Sequence, residues 1–214
     1  MPDYEYGESP GGTHQTLLRM VEDGARVLDV GCASGYLGEQ LSKRGCRVWG
    51  VDADSRSVAM ARSVGYEDVL CADLDRVGAL PWEETFDVVI AADVLEHLTG
   101  PARILAAIRD RWLAPRGHLI VSLPNVANFT TRFGLLAGRF TYTEKGILDD
   151  THLRLYTYRT ARELLTSAGF VVDREQAGSD RFGAFLNGTR PGSTRLRGLL
   201  AFNVILAGTR ASDS

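Results

Sequence analysis

The sequence predicts an α/β fold built on a parallel, doubly wound sheet with helices on both faces. Apolar runs of strand length alternate with amphipathic segments of helix length along almost the whole 214-residue chain, a rhythm typical of such sheets. A glycine-rich turn, LDVGCASGYLG, follows the first of these strands at residues 28–38. Because no internal repeat or change of composition divides the chain, we expect a single domain over residues 1–214.

Four strands and three helices are expected in the first half of the chain. The strands are RVLDV, CRVWGVD, EDVLCAD and FDVVIAAD, at residues 26–30, 46–52, 67–73 and 86–93. The helices are THQTLLRMVEDG, GYLGEQLSKRG and SRSVAMARSVG, at residues 13–24, 35–45 and 55–65. Ser55 is in position to cap the third helix, and Gly65 to end it. The continuous apolar run of the fourth strand is typical of a strand buried on both faces.

The second half of the chain continues this alternation and then departs from it. PARILAAIRDRWLAPRG predicts a helix that begins at Pro101 and stops at residues 115–117, and HLIVSLP predicts a fifth strand at residues 118–124. A further helix is expected in TARELLTSAG, and two more strands in FVVDREQAG and LAFNVILAGTRA.

A connection of about thirty residues, 125–158, separates the fifth strand from the next helix. Connections at such a position usually span about 2–6 residues, and a long one at the carboxyl end of a sheet usually covers a site. Its aromatic residues suit either the wall of an acceptor pocket or the core of a small cap: Phe129, Phe133, Phe140, Tyr142, Tyr156 and Tyr158. We therefore expect a small substrate-covering cap inserted after the fifth strand.

Composition and charge argue against several functional classes. The net charge of −3 and the pI of about 5.8 give no bulk positive charge for nucleic acid, and the apolar run at residues 199–208 is too short to span a bilayer. Cys32, Cys46 and Cys71 lack metal-ligand spacing and are expected to be small buried residues in a reducing compartment. Since the acidic N-terminus lacks an apolar signal segment, we expect a cytoplasmic protein without a membrane or nucleic-acid partner.

Two classes of ligand compete for the glycine-rich turn. A dinucleotide such as NAD calls for the pattern G-x-G-x-x-G between a strand and a helix. Read from Gly31, this pattern fails at Ala33 and at Tyr36; read from Ala33, it fails once and starts four residues after Asp29. An NAD-dependent oxidoreductase therefore remains an alternative with the weaker glycine pattern.

The residues D-V-G-C-A-S-G, Asp29 to Gly35, resemble the first motif of class I S-adenosylmethionine (SAM)-dependent methyltransferases, with Ala33 in place of the usual middle glycine. SAM carries an ammonium and a sulfonium group and no phosphate, so a carboxylate at the turn favours it and would oppose a pyrophosphate. The resemblance implies a Rossmann-like sheet of seven strands whose last strand is antiparallel. It also implies that the turn residues contact the cofactor: Asp29, Gly31, Cys32, Ala33, Gly35 and Tyr36.

Acidic residues at the ends of the next strands extend the resemblance over about residues 4–123. Asp52, followed by Ala53, ends the second strand, where a carboxylate can accept bonds from both ribose hydroxyls of SAM, or of NAD. Asp73 and Leu74 match the family position that meets the adenine. FDVVIAADVLEHL resembles the fourth-strand motif, which implies that Ala92 and Asp93 border the methionine part of the cofactor. The last cofactor-site residue expected there is His97, at the start of the following helix.

His152 is the expected catalytic residue. Methyl transfer is an in-line displacement, so positioning supplies much of the rate, and a base is needed only when the acceptor loses a proton. His152 lies in the long connection beside Asp149 and Asp150, either of which could orient its ring. The segment GRFTYTEKGILDDTHLRLYTYRTARELL resembles methyltransferases that tailor glycans or secondary metabolites and, more remotely, ubiquinone-pathway O-methyltransferases. A structural role that pins the connection is the alternative for His152.

No metal is assigned, although Asp93, Glu96, His97 and His152 together offer ligands suited to a divalent ion. His14 could close over the amino-acid end of the cofactor. The expected function is methyl transfer from SAM to a small-molecule acceptor, namely an oxygen of a sugar or secondary metabolite, with a homodimer left open. An NAD-dependent oxidoreductase and a SAM-binding, non-catalytic partner protein are the alternatives.

Overall fold

One seven-stranded sheet forms the centre of the chain in a computed structural model, which describes residues 12–178, 187 and 194–211. The strands are β1 Arg26–Val30, β2 Arg47–Asp52, β3 Asp68–Cys71, β4 Phe86–Ala92, β5 Leu113–Pro124, β6 Phe170–Gly178 and β7 Asn203–Arg210. The helices are α1 Thr13–Arg19, α2 Tyr36–Ser42, α3 Ser55–Ala61, α4 Pro101–Ala107, α5 Phe129–Leu136, α6 Tyr158–Ser167 and α7 Thr194–Leu200.

The strand order is β3-β2-β1-β4-β5-β7-β6. The first five strands run parallel, with β1 between β2 and β4, whereas β7 is antiparallel to both of its neighbours. The expected Rossmann-like α/β sheet of seven strands with an antiparallel last strand is confirmed. Successive strands are added on one side of β1 as far as β3 and on its other side from β4 onward. Because the strand order reverses at this point, the carboxyl ends of β1, β2 and β4 border the crevice in which ligands of such sheets bind.

The sheet is buried on both faces, as the continuous apolar runs predict. Leu28 of β1 and Val89 of β4 belong to the hydrophobic cluster on one face, and Val27 and Ile90 to the cluster on the other. All four side chains are fully buried. Successive strand residues point to opposite faces, so β1 and β4 are held rigidly from both sides. Their carboxyl ends therefore give the site a fixed frame.

Several expected element boundaries are wrong, and two of them have clear physical causes. Asp54 rather than Ser55 caps α3, because its carboxylate accepts bonds from the backbone N–H groups of Arg56 and Ser57. The fifth strand begins at Leu113 rather than His118. Residues Ile108–Trp112 form a π-helical turn after α4, and Leu113 then pairs with Phe86 across a register shift. This irregularity accommodates Pro115, which cannot donate a ladder hydrogen bond.

The expected burial of all three cysteines is also wrong for one of them. Cys32 and Cys46 are buried, but Cys71 is exposed. Cys71 lies at the end of β3, which is an edge strand of the sheet and is covered less completely than the inner strands.

Residues 125–158 contain α5 and little other regular structure. Two isolated bridges, Asn125 to Tyr156 and Thr143 to Asp149, fold the segment back on itself. The backbone N–H groups of Leu153 and Arg154 donate to the carbonyl of Glu96 at 2.9 and 3.1 Å, which ties the segment to the turn after β4. Of its aromatic residues, Tyr156 and Tyr158 are buried and Phe129 is partly buried, whereas Phe133, Phe140 and Tyr142 are exposed.

In the part of the chain that the structure describes, no helix is both long enough and apolar enough to cross a membrane.

Candidate functional site

A cavity of about 420 Å³ lies at the carboxyl ends of β1, β2, β3 and β4. Twelve of the thirteen residues expected at a cofactor site line it: Asp29, Gly31, Cys32, Ala33, Tyr36, Asp52, Ala53, Asp73, Leu74, Ala92, Asp93 and His97. The exception is Gly35, where an added Cβ would meet Val64 and Ala61 on the side of α3. His152 does not line the cavity, but its ring lies 4.9 Å, centroid to centroid, from that of His97.

The turn after β1 is shaped by residues with left-handed backbone conformations. Gly31 has φ +74°, and a Cβ there would lie 2.3 Å from Cγ2 of Val94. Gly35 has φ +94° and is the N-cap residue of α2. Ala33, between them, has φ 45°, which is unusual for a residue with a Cβ. The turn thus brings bare backbone to the cavity, as a close-fitting ligand requires.

The carboxylate of Asp29 is buried at the base of this turn. Its Oδ2 accepts a hydrogen bond of 2.7 Å from the hydroxyl of Tyr66, whereas its Oδ1 has no partner among the described residues. Burial raises the pKa of Asp29 to about 7; the Tyr66 bond counteracts this effect, and the charge of Asp52 adds to it. An unpaired buried carboxylate oxygen at a cavity wall is costly unless a donor or a cation meets it.

Asp52 connects the end of β2 to the turn. Its Oδ2 accepts a bond of 2.9 Å from the backbone N–H of Ala33, and its Oδ1 accepts one of 2.9 Å from that of Asp54. The first bond also fixes the strained backbone at Ala33. Asp73 is more open to solvent and pairs loosely with Arg76 at 3.3 Å. Both carboxylates remain at the cavity wall.

Asp93 follows β4 with φ 52° and is held by two residues that the sequence did not single out. Its Oδ1 accepts bonds from the hydroxyl of Ser122 at 2.9 Å and from the amide of Asn203 at 2.6 Å. Burial raises its pKa, and these two bonds oppose the rise. The sequence gives one indication of this role: Ser122 and Asn203 are polar residues near the ends of otherwise apolar strands.

Glu96, His97 and His152 form a compact group beside the cavity. One potential ligand atom from each lies within 4.8 Å of the others. Glu96 is fully buried, and neither of its carboxylate oxygens has a partner among the described residues. Burial, together with the charge of Asp93, raises the pKa of Glu96 well above its usual value. The group contains three of the four residues considered for a divalent ion; Asp93 stands apart from it.

We expected Asp149 or Asp150 to orient the ring of His152, but a backbone carbonyl does so instead. Its Nδ1 lies 3.2 Å from the carbonyl oxygen of Ile147. Because a carbonyl only accepts, Nδ1 carries the proton in this contact and Nε2 of the neutral ring is left as a base. Burial and the nearby His97 lower the pKa of His152, which favours the neutral ring. Asp149 instead accepts bonds from the backbone and hydroxyl of Thr151.

Several lining residues were missed by the sequence analysis. Glu144, Asp149 and Thr151 reach the cavity wall from the segment 125–158, and Asp75 and Leu98 reach it from the loops after β3 and β4. Only the length of the segment 125–158 pointed toward such a contribution. His14, which was expected near the cofactor, does line the cavity, with its ring 5.5 Å from that of Tyr36.

The charge of the cavity tests which cofactor fits. Acidic side chains line it on all sides, and neither lysine nor arginine is found among the described lining residues. A pyrophosphate would meet these carboxylates without a compensating cation, whereas a ligand bearing ammonium and sulfonium groups is complementary to them. The buried carboxylate of Asp29 in the cavity wall, with one oxygen unpaired among the described residues, also favours a cationic ligand. The residues present therefore fit SAM.

A doubly wound sheet with an acidic, glycine-rich cleft of this kind defines the class I SAM-dependent methyltransferases. A family profile described as a methyltransferase domain matches residues 10–175 of this chain. The chain belongs to this methyltransferase family, which confirms the expected enzyme class and its cofactor, S-adenosylmethionine, over NAD.

Similar sequences carry a more specific name. A ubiquinone biosynthesis O-methyltransferase of Hahella chejuensis is 40% identical over 106 residues, which are 48% of this chain and 44% of that protein. One from Cereibacter sphaeroides is 34% identical over 110 residues, 48% of this chain and 42% of that protein. The matched region thus spans less than half the length of these relatives.

Solved structures share the fold along nearly the whole chain. A TehB-like SAM-dependent methyltransferase from Corynebacterium glutamicum aligns with a TM-score of 0.63 at 19% identity, over 96% of this chain and 90% of that one. Magnesium protoporphyrin IX methyltransferase from Synechocystis, with bound S-adenosylhomocysteine, aligns with a TM-score of 0.65 at 20% identity, over 93% and 82%. At these identities the likeness shows the fold.

Proposed function

We propose that this protein transfers the methyl group of SAM to a hydroxyl oxygen of a small-molecule acceptor. The observation that carries this proposal is the acidic cavity at the ends of β1, β2 and β4, with the Glu96, His97 and His152 group beside it. Bound SAM supplies a methyl group already activated by its sulfonium. The protein then has to hold the acceptor oxygen in line with that group and take up its proton.

The cofactor is held, in this proposal, by the residues at the strand ends. Asp29 and Asp93 face the cationic, amino-acid part; the pair of backbone bonds to Asp52 leaves further lone pairs on its carboxylate for the ribose hydroxyls. Asp73 and Leu74 flank the adenine. Gly31 lines the cavity, and a side chain there would collide with Val94, so a glycine is required to keep this turn in place.

His152 is the proposed general base. As the acceptor oxygen bonds to the methyl carbon and the sulfur–carbon bond breaks, the hydroxyl proton passes to Nε2 of His152. The bond from Nδ1 to the carbonyl of Ile147 supports this role, because it fixes both the ring and its tautomer. The low pKa of His152 supports it as well, since the neutral ring is the form that accepts a proton.

The segment 125–158 is proposed to cover the acceptor. Glu144, Asp149 and Thr151 already line the cavity from this segment, and the contacts of Leu153 and Arg154 with Glu96 anchor it beside the proposed base. A cover of this kind excludes water from the transfer. The relatives named O-methyltransferases favour oxygen as the methylated atom. Two classes of acceptor are compared: sugars, as the sequence predicts, and other hydroxylated ring compounds.

Methyl transfer is tested by S-adenosylhomocysteine release with panels of hydroxylated rings and of sugars. We expect turnover with at least one panel, and His152→Ala to lower kcat by roughly a hundredfold while leaving SAM affinity unchanged. His118→Ala, a histidine on β5 remote from the cavity and 3.9 Å from Asp173, is the matched control and should retain full activity. SAM binding without turnover on any acceptor would instead support a non-catalytic binding protein.

A divalent cation is a second means of activating the acceptor hydroxyl, favoured by the buried, unpaired carboxylate of Glu96 beside the two histidines. Dialysis against a chelator distinguishes the two mechanisms. Activity that disappears and returns with Mg²⁺, Mn²⁺ or Zn²⁺ would assign these three side chains to a metal. Activity that survives dialysis but is lost in His152→Ala supports the base.

A further inference from the structure

A tyrosine outside the cavity lies directly behind the cofactor-binding turn. Tyr66 precedes β3 and does not line the cavity. Its hydroxyl donates to Oδ2 of Asp29 at 2.7 Å and accepts a bond from the backbone N–H of Gly38 at 3.2 Å. This single hydroxyl therefore joins the carboxylate at the end of β1 to the first turn of α2.

The ring of Tyr66 occupies space that three glycines leave free. A Cβ added at Gly38 would lie 2.1 Å from Cζ of the ring, one at Gly50 would lie 2.8 Å from Cε1, and one at Gly35 would lie 3.0 Å from Cε2. These glycines belong to α2, to β2 and to the turn between β1 and α2. A side chain at Gly38 or Gly50 would displace the ring, so the fit between ring and glycines is specific.

We propose that Tyr66 is a positioning residue for the cofactor: it holds the Asp29 carboxylate in place at the cavity wall, where the negative charge of that carboxylate attracts the cationic ligand. This inference rests on the proposed function. Oδ1 is buried without a partner, so among the described residues the Tyr66 hydroxyl, bonded to Oδ2, is the side chain that fixes this carboxylate. Tyr66 also helps to keep Asp29 ionised, since a hydrogen bond donated to a carboxylate favours its charged form.

The protonation of Asp29 makes this role measurable. The pKa of Asp29 is raised to about 7 by burial, in spite of the Tyr66 bond. Loss of that bond raises the pKa further, so at pH 7 fewer molecules carry the charge that holds the ligand, whereas at pH 9 nearly all still do. A role confined to packing would weaken binding equally at both pH values.

Other titratable groups lie near Asp29 or line the same cavity, and each is present in both wild type and variant. Asp52 on β2 and the buried Cys32 thiol in the turn interact with Asp29 directly. The other groups of the cavity wall are His14, Tyr36, Asp93 and His97. At any one pH, the dissociation constant of the variant divided by that of wild type therefore isolates the effect of Tyr66. The titration of the SAM amino group affects both constants and cancels in this ratio.

The test is calorimetric titration of SAM into wild type and Tyr66→Phe at pH 7 and pH 9. We expect the variant to bind about fivefold more weakly at pH 7, the effect of raising the pKa of Asp29 by about one unit, and equally well at pH 9. Tyr158→Phe, which removes another largely buried tyrosine hydroxyl bonded to the carbonyl of Gln176, is the matched control and should bind as wild type at both pH values.

A second variant disturbs the contact between Tyr66 and Asp29 without changing either residue. Gly38→Ala should displace the Tyr66 hydroxyl, which lies 2.5 Å from the added Cβ, and should show the same pH-dependent weakening. Unchanged affinity in both variants at pH 7, or equal weakening at both pH values, would overturn the inference. Failure of the wild type itself to bind SAM would overturn the proposed function and this inference with it.

Discussion

Asp29 lies at the carboxyl end of β1, where burial and a nearby carboxylate both oppose its ionisation. The position of Asp29 before the glycine-rich turn predicts that it contacts the cofactor. No such signal marks Tyr66, because the two residues are 37 positions apart and the return of the chain toward β3 brings them together. Short-range motifs reveal the residues that face a ligand, and long-range packing supplies those that hold them.

The pH dependence of stability tests the burial of Asp29 without any ligand. In the unfolded chain an aspartate titrates near pH 3.9, whereas in the folded protein the pKa of Asp29 is about 7. Between these values the folded state binds more protons, so this residue lowers the free energy of unfolding as pH rises from about 4 to 7.

Asp29→Asn should remove that contribution. Between pH 5 and pH 8, wild type is expected to lose about 2–3 kcal/mol more of its free energy of unfolding than Asp29→Asn loses. Urea denaturation of both proteins at the two pH values measures the difference. Parallel pH profiles for wild type and variant would contradict a raised pKa of Asp29 in the folded protein.

Helix α3 illustrates what the sequence can predict at the scale of a secondary-structure element. The segment SRSVAMA was correctly identified as helical from its apolar positions, but the cap was placed one residue late. Asp54 and Ser55 are both favourable N-cap residues, and composition alone does not distinguish them. In the structure the Asp54 carboxylate also accepts from the hydroxyl of Ser57 at 2.7 Å, which reinforces the choice.

Asp54→Ala is expected to lower the free energy of unfolding by about 1 kcal/mol, because two backbone N–H groups at the start of α3 lose their acceptor. Ser55→Ala, one residue later and exposed, is the matched control and should change it by less than about 0.5 kcal/mol. Thermal or urea denaturation compares the two. A larger loss in Ser55→Ala than in Asp54→Ala would restore Ser55 as the cap.

Strand β5 shows why element boundaries depend on the fold as a whole. Pro115 and Gly117 predicted an interruption, yet Leu113 pairs with Phe86 before a register shift that contains these residues. Local propensity disfavours strand there, and pairing with an existing neighbour overrides it. The edge position of β3, which leaves Cys71 exposed, is likewise a property of strand order that the sequence does not state.

At the scale of the molecule, the alternation of strands and helices was sufficient to predict the sheet, and family resemblance to predict its antiparallel last strand. The contribution of β7 to the site was not predictable, because Asn203 reaches Asp93 across 110 residues of sequence. The same is true of the covering segment, whose length was evident but whose contacts with Glu96 arise only when the chain is folded.

The carboxylates around the crevice make it a site for a cationic nucleoside and exclude a diphosphate. Among the described residues, seven carboxyl groups line the cavity: those of Asp29, Asp52, Asp73, Asp75, Asp93, Glu144 and Asp149. Their combined charge acts on any ligand in the crevice, and a dinucleotide would bring two phosphate charges of the same sign into it.

Calorimetric titration of the whole chain with SAM and, separately, with NAD tests this claim most directly. The account predicts that SAM binds with one molecule per chain and that NAD produces no binding heat at the same concentrations. Saturable binding of NAD, together with no binding of SAM, would contradict it.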